Sequence, residues 1–349
     1  MYDYSDNIEK FWEKKVSLPK DFKDKLYDRR QSNRDRLIAR LPDNIKNISI
    51  SNSSFKPQGS MAMQTIIQTK FENEEYDIDD GLVLLKKELI DENEKELSPE
   101  EVRKKVLNSL KDERFTKQPK LCTNCVRVFY ADENEEKHHV DFPVYRKFEN
   151  KKGDDVRELA NEKEWIESNP TQVNVWFENE VKYHNSIIAD KGTQLRKLTQ
   201  LLKRFARSRE TWDLPNGMKL TMLVSECLPE YNSRIDEAFR NLLKELDVRL
   251  EKNLEIYNLA HPDKPTITRS VKDRNVVDLH DKIILALEKL EVLDELECTK
   301  NDAKKTWDWV FQTDGYFDDI ENEDDKNKAN VVNSIPTSPV NHKGGGRFG

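Results

Sequence analysis

Apolar and polar positions follow two periods along this chain. Short stretches of the first half are strand-like, and most of the second half repeats near 3.6 residues. "YDIDDGLVLL" (76–85), "LCTNCVRVFY" (121–130) and "HHVDFPVY" (138–145) are rich in Val, Ile, Leu and aromatics and predict strands. "NISISNSSFKPQ" reads as a first strand leading into Gly59-Ser60, with "MAMQTI" a short helix after it. Residues 5 to about 41 predict helix with a break at Pro19. "SPEEVRKKVLNSLKDE" opens on Ser98 with Glu101 three residues on, a capping box. From about 155 onward the spacing predicts helices over 155–168, 192–212, 218–228, 232–253, 271–296 and 301–323. Together these predict an α+β lobe carrying the sheet, with a helical lobe beside it and a ligand cleft between them. The expected organisation is N-terminal helices over 1–45, a core over 46–150, a helical lobe over 151–325 and a tail over 326–349.

Within the 76–85 strand three aspartates fall in four positions. Side chains alternate along a strand, so Asp77 and Asp79 share one face while Ile78 and Asp80 take the other. Two carboxylates about 7 Å apart on one face repel, and they suit a hard divalent cation that takes oxygen ligands. An exposed acidic turn is the common alternative. A calcium loop is excluded by backbone geometry: Gly81 stands fifth from Asp77, and Leu82 occupies the sixth place, where that loop needs glycine. Asp141 lies in the strand-like run 138–145, sharing a face with His139, and His139 reads as a structural histidine bordering that face. Upstream, Gly59-Ser60 offers close backbone N–H groups and a hydroxyl suited to phosphate oxygens. Three inward carboxylates can bind two Mg²⁺ ions.

The ordered set "QGS", "YDIDDGLVL" and "VDFPVY" resembles the cGAS/DncV-like nucleotidyltransferases of bacterial CBASS antiphage signalling, DncV-like branch, over roughly residues 40 to 300. The resemblance implies a polymerase-β-like core sheet with a helical lobe. It implies an active site in which Asp77, Asp79 and Asp141 are catalytic and hold two Mg²⁺ ions (or Mn²⁺), and Gly59 and Ser60 position the donor nucleotide. On the helix "LRKLTQLLKRFARSRE" and in "LTMLVSECL" it implies that Lys203 and Ser225 contact the triphosphate; the alternative for that helix is a solvated basic face. The implied activity joins NTPs into a cyclic di- or trinucleotide second messenger. A linear oligoadenylate synthetase, a tRNA-type nucleotidyltransferase and a catalytically silent binding module are the other readings.

Composition adds limits. Charged and hydrophobic residues are each 36% of the 349, and the net charge of −8 argues against a general duplex-coating protein, so no stable duplex nucleic acid is expected. The chain lacks an 18-residue apolar run and its first residues lack a signal-peptide core, which predicts a cytoplasmic protein without membrane attachment. Cys122, Cys125, Cys227 and Cys298 suit a reducing compartment. "CTNC" followed by His138 and His139 does not make a zinc site, because strand residues three apart face opposite ways and the histidines are adjacent; Cys125 reads as a small core residue.

The tail shifts from acidic to Ser/Pro/Gly-rich and ends in "GGGRFG", which predicts disorder. A C-terminal glycine on such an arm resembles ubiquitin-like tails, and the family resemblance implies conjugation through Gly349 by an E1/E2-like partner; a flexible terminus is the plainer reading. Deleting 326–349 should leave the melting temperature and in vitro synthesis nearly unchanged. Gly349→Glu should abolish any covalent adduct seen on denaturing gels of host cells. An adduct that survives this change removes the conjugation reading.

Overall fold

In the computed structural model, which describes residues 1–71, 74–130 and 137–320, the chain opens with α1 (Ser5–Phe11), a π-helical turn (Trp12–Val16) and α2 (Lys20–Asn44). Pro19 separates the two helices, supplying its fixed φ and needing no hydrogen bond there. The sheet follows: β1 (Phe55–Pro57), the short α3 (Gly59–Ala62), β2 (Tyr76–Leu85), α4 (Pro99–Leu110), β3 (Lys120–Leu121), β4 (Val126–Tyr130), β5 (His138–Phe142), β6 (Val144–Glu149), β7 (Asp155–Ala160) and β8 (Trp165–Glu167). The helical half comprises α5 (Gln172–Ile187), α6 (Lys191–Ala206), α7 (Gly217–Glu226), α8 (Ile235–Lys252), α9 (Arg274–Leu290) and α10 (Lys300–Phe311). The Ser98/Glu101 capping box forms as the sequence predicts. Among the described residues no helix is long and apolar enough to cross a membrane. The 326–349 tail, Gly349 included, lies outside the described residues.

The sheet is organised around β2. β5 and β6 run parallel to it at one offset, Tyr76 opposite His138 through Asp79 opposite Asp141 and Leu82 opposite Val144 through Leu85 opposite Lys147. β4 and β7 flank them antiparallel, β3 and β8 lie outside those, and β1 pairs with β2. One face of β2 and β5 presents Ile78, Leu82, Leu84, Val140 and Phe142 to a first core, completed by Leu26, Leu37 and Leu41 of α2 and by Val102, Val106 and Leu110 of α4. A second core gathers α5 to α10 around Phe205, Phe239, Trp307 and Phe311.

Several expectations need correction. Residues 155–168 form the β7–β8 hairpin, not a helix. Asn161 turns the chain by accepting from the Lys163 and Glu164 amides, and Trp165 pairs with Ala160. The sheet therefore runs to Glu167, past the boundary expected at 150. The N-terminal helices are not a unit either: Ile8 and Phe11 of α1 pack in the second core and α2 in the first. "CTNC" is a turn closed by the Cys122 amide on the Cys125 carbonyl, 2.9 Å, and not continuous strand; Cys125 is buried as expected. The first strand shrinks to β1, preceded by a 3₁₀ turn at Asn52–Ser54.

Asp80 points away from Asp77 and Asp79, into the first core. It is fully buried there and chelated by Arg34, Nε and Nη2 each 2.6 Å from its oxygens. Removing one partner of such a pair leaves a buried charge unmatched, at about 3–5 kcal/mol. Asp80→Ala should lose that much in urea unfolding, and Arg34→Met with Asp80→Leu should recover most of it. Equal losses in the single and double variants would contradict this account.

Candidate active site

The parallel register of β2 and β5 builds the site. Asp77 lies opposite His139 and Asp79 opposite Asp141, so all four side chains leave one face of the sheet. Asp77 is exposed at the cleft, whereas Asp141 is buried and held from the neighbouring strand by Arg127, Nε at 2.7 Å and Nη2 at 2.6 Å. His139 is 6% exposed. Its Nδ1 stands 3.1 Å from Glu75 Oε2, and its Nε2 lies 3.1 Å from Asp77 Oδ1 and 3.9 Å from Asp141 Oδ2. The Nδ1 contact is a hydrogen bond, whereas the two Nε2 contacts are ion contacts without hydrogen-bond alignment, and Nε2 is a buried nitrogen with no hydrogen-bond partner.

Burial above all, then the charges of Asp77 and Asp141, pushes the Asp79 carboxyl up to about 7. Burial pulls His139 down, but Asp77 and Asp141 outweigh it and leave its pKa raised. A carboxylate whose ionisation is this costly, clustered with two others and with a buried unpartnered nitrogen, fits a divalent cation. Asp77, His139 and Asp141 each offer a ligand atom, all within 4.8 Å of one another.

Opposite the strand, Gly59 begins α3 with φ +67°, a conformation that favours glycine. A Cβ there would come 2.2 Å from Asp79 Oδ2, so the Gly59 backbone and the Asp79 carboxylate lie directly against each other. The Gln58 amide donates to the Asp79 carbonyl at 3.0 Å and ties this turn to β2.

The second lobe supplies cations. A cavity of about 530 Å³ is lined by Gly59, Ser60, Asp77 and Asp79 on one side and by Asn174, Lys203, Arg207 and Asn216 on the other. Lys203 on α6 is buried and donates to the Thr65 carbonyl (3.1 Å) and hydroxyl (2.9 Å). Five residues read from the sequence thus share one cleft: Gly59, Ser60, Asp77, Asp79 and Lys203. Asp141 sits behind Asp77 and Asp79. Ser225 is not brought to the cleft; it lies in the last turn of α7, its hydroxyl buried without a hydrogen-bond partner, and the start of that helix, Asn216 to Met218, lines the cavity in its place. Glu75 and Asn174 carry no signal in the sequence beyond their later neighbours. Asn174 donates to the Pro57 carbonyl across the lobes, 2.7 Å.

Burial, with a smaller contribution from Arg207, lowers the Lys203 pKa from 10.5 to about 7. The unfolded chain keeps that proton to about pH 10.5 and the folded chain releases it near 7. Unfolding takes up a proton in between, so Lys203 makes stability rise with pH across that window. Lys203→Met removes the rise. Between pH 7 and 9 the unfolding free energy of the wild type should gain on the variant by up to about 1.4 kcal/mol per pH unit. A pH-independent difference would mean that the ammonium keeps its ordinary pKa.

Comparison with known proteins places this geometry. Residues 53–145 match the family model described as cyclic GMP-AMP synthase DncV-like, nucleotidyltransferase domain. The fold is similar to Vibrio cholerae DncV cyclic AMP-GMP synthase in complex with nonhydrolyzable GTP, at 17% identity and TM-score 0.66, over 90% of this chain and 96% of that one. The same enzyme with the linear intermediate 5′ pppA(3′,5′)pG aligns at 16% identity and TM-score 0.65, over 86% and 92%. Escherichia coli DncV bound to 3′-deoxy GTP aligns at 18% and 0.62, over 86% and 92%. At these identities the structures establish the α+β nucleotidyltransferase fold, and the domain match covers residues 53–145. The span from Gly59-Ser60 through Asp77, Asp79 and Asp141 lies within the residues that match a DncV-like nucleotidyltransferase domain, and the whole chain shares the fold of the DncV structures.

Proposed function

We propose that this protein joins ribonucleoside triphosphates into a cyclic di- or trinucleotide, using Mg²⁺, as a second messenger in antiphage defence inside the bacterial cytoplasm. The observation that carries this reading is the single cleft holding Asp77 and Asp79 against the Gly59-Ser60 turn, with Lys203 and Arg207 facing them. Its similarity in fold to V. cholerae DncV, bound to a linear dinucleotide intermediate, supports the cyclising end of the reaction.

The chemistry is attack of a ribose hydroxyl on the α-phosphate of a second nucleotide, with pyrophosphate leaving in line. Divalent ions on Asp77, Asp79 and Asp141 would neutralise the triphosphate and acidify the attacking hydroxyl. The rest falls to the chain's own groups. Gly59 lets phosphate oxygens approach the backbone, where any side chain would strike Asp79. The Ser60 hydroxyl lies in the same turn and can donate to those oxygens. Lys203, poised near neutrality by burial, gains its proton when an anion arrives, so charge appears where the phosphates bind. Arg207 adds a permanent cation at the same wall. Repeating the transfer within the bound linear product closes the ring.

Purified protein incubated with all four NTPs and Mg²⁺ should yield a cyclic oligonucleotide by mass spectrometry. The Asp77→Asn, Asp79→Asn double variant should keep its fold and lose at least about 100-fold in turnover, the scale for removing one electrostatic contact to a transition state. Unchanged NTP consumption in that variant would sink the assignment.

A further inference from the structure

We infer that His139 is itself a metal ligand: its Nε2, with carboxylate oxygens of Asp77 and Asp141, forms a mixed nitrogen–oxygen site for a first-row divalent transition ion such as Mn²⁺. The inference rests on the proposed nucleotidyl transfer, because it assigns the ligands of one metal position in that same cleft.

Four observations point the same way. Nε2 is a buried nitrogen without a hydrogen-bond partner, on a side chain 6% exposed, and it is aimed at the carboxylates. The other ring nitrogen, Nδ1, stands 3.1 Å from Glu75 Oε2. A ligating histidine commonly donates its far N–H to a carboxylate in this way, which fixes the tautomer that leaves Nε2 free for metal. The spacing fits as well. Bonds of about 2.1 Å put adjacent octahedral ligands about 3 Å apart and opposite ones about 4.2 Å apart. Nε2 lies 3.1 Å from Asp77 Oδ1 and 3.9 Å from Asp141 Oδ2. Lastly, the β2–β5 register sets His139 directly opposite Asp77 and two residues from Asp141 on the same face. Arg127 does not close the site. It donates one hydrogen bond to each Asp141 oxygen, and a carboxylate has about four lone-pair positions.

An imidazole ligand shifts preference away from Mg²⁺, which takes oxygen, toward first-row transition ions. The purified full chain with substoichiometric Mn²⁺ should therefore show ¹⁴N coupling to the manganese in pulsed EPR. His139→Asn should lose that coupling and bind Mn²⁺ at least about 10-fold more weakly. Glu75→Gln should keep the coupling while weakening Mn²⁺ about 10-fold, as loss of an orienting partner does. A wild-type spectrum without ¹⁴N coupling overturns the inference, and it decides the matter even where His139→Asn fails to fold. Equal Mn²⁺ affinity in wild type and a folded His139→Asn overturns it too. NTP joining without ¹⁴N coupling removes the ligand and leaves the proposed function standing, whereas coupling without any NTP joining does the reverse.

Discussion

The grip of α6 on residues 63–68 is the contact on which the cleft depends. Arg196 donates to the Met63 carbonyl (3.3 Å), Lys203 to Thr65 (3.1 Å), Gln200 to Ile66 (2.9 Å) and Arg204 to Gln68 (2.8 Å). This segment is irregular backbone between α3 and β2, with carbonyls that no sheet ladder pairs. Buried carbonyls need donors, and long polar side chains, three of them cationic, reach these from a second lobe. The segment's own side chains divide likewise, Met63 and Ile67 entering the helical core and Ile66 the sheet core. One strip of chain is thereby shared by two hydrophobic cores, and the Gly59-Ser60 turn and β2 at its two ends are held at a fixed distance from Lys203.

Against that frame the sheet contributes register. A parallel pairing between β2 and β5 is costly to form and needs a long crossover, but it sets equivalent residues of two distant segments side by side. Asp77 and Asp79 are local to each other, whereas Asp141 and His139 join them only through this pairing. The electrostatic strain that results is concentrated on Asp79, and the Asp80–Arg34 pair on the opposite face keeps a neighbouring carboxylate out of that repulsion altogether.

Much of this was legible in the residues. Alternation along 76–85 separates Asp77 and Asp79 from Asp80, and an aspartate inside the apolar run 138–145 marks the third carboxylate. What the chain did not disclose depends on tertiary partners. The basic residues of α6 read equally as a solvated face, because burial of Lys203 and Arg204 arises from a segment more than a hundred positions away. Asp80 gave no hint of Arg34, nor His139 of Glu75. The β7–β8 hairpin was misread because Glu, Lys and Arg dominate it and favour helices by propensity, whereas its alternation and Asn161 turn decide otherwise. Helix α5 went unseen, although Val173, Phe177 and Val181 repeat every four residues. Ser225 lies away from the cleft because of its place along α7: the helix reaches the cleft at its first turn, and Ser225 is in its last.

The adjacency of Asp79 and Asp80 bears on how firmly the cleft-facing carboxylates are aimed. One strand cannot rotate its cleft-facing carboxylate without twisting the next residue, and that residue is clamped by two short bonds in the sheet core. β2 is therefore fixed from its far face as well as by its neighbours in the sheet. On the other wall α6 is tied to the 63–68 strip, so Lys203 and the aspartates of β2 belong to one frame.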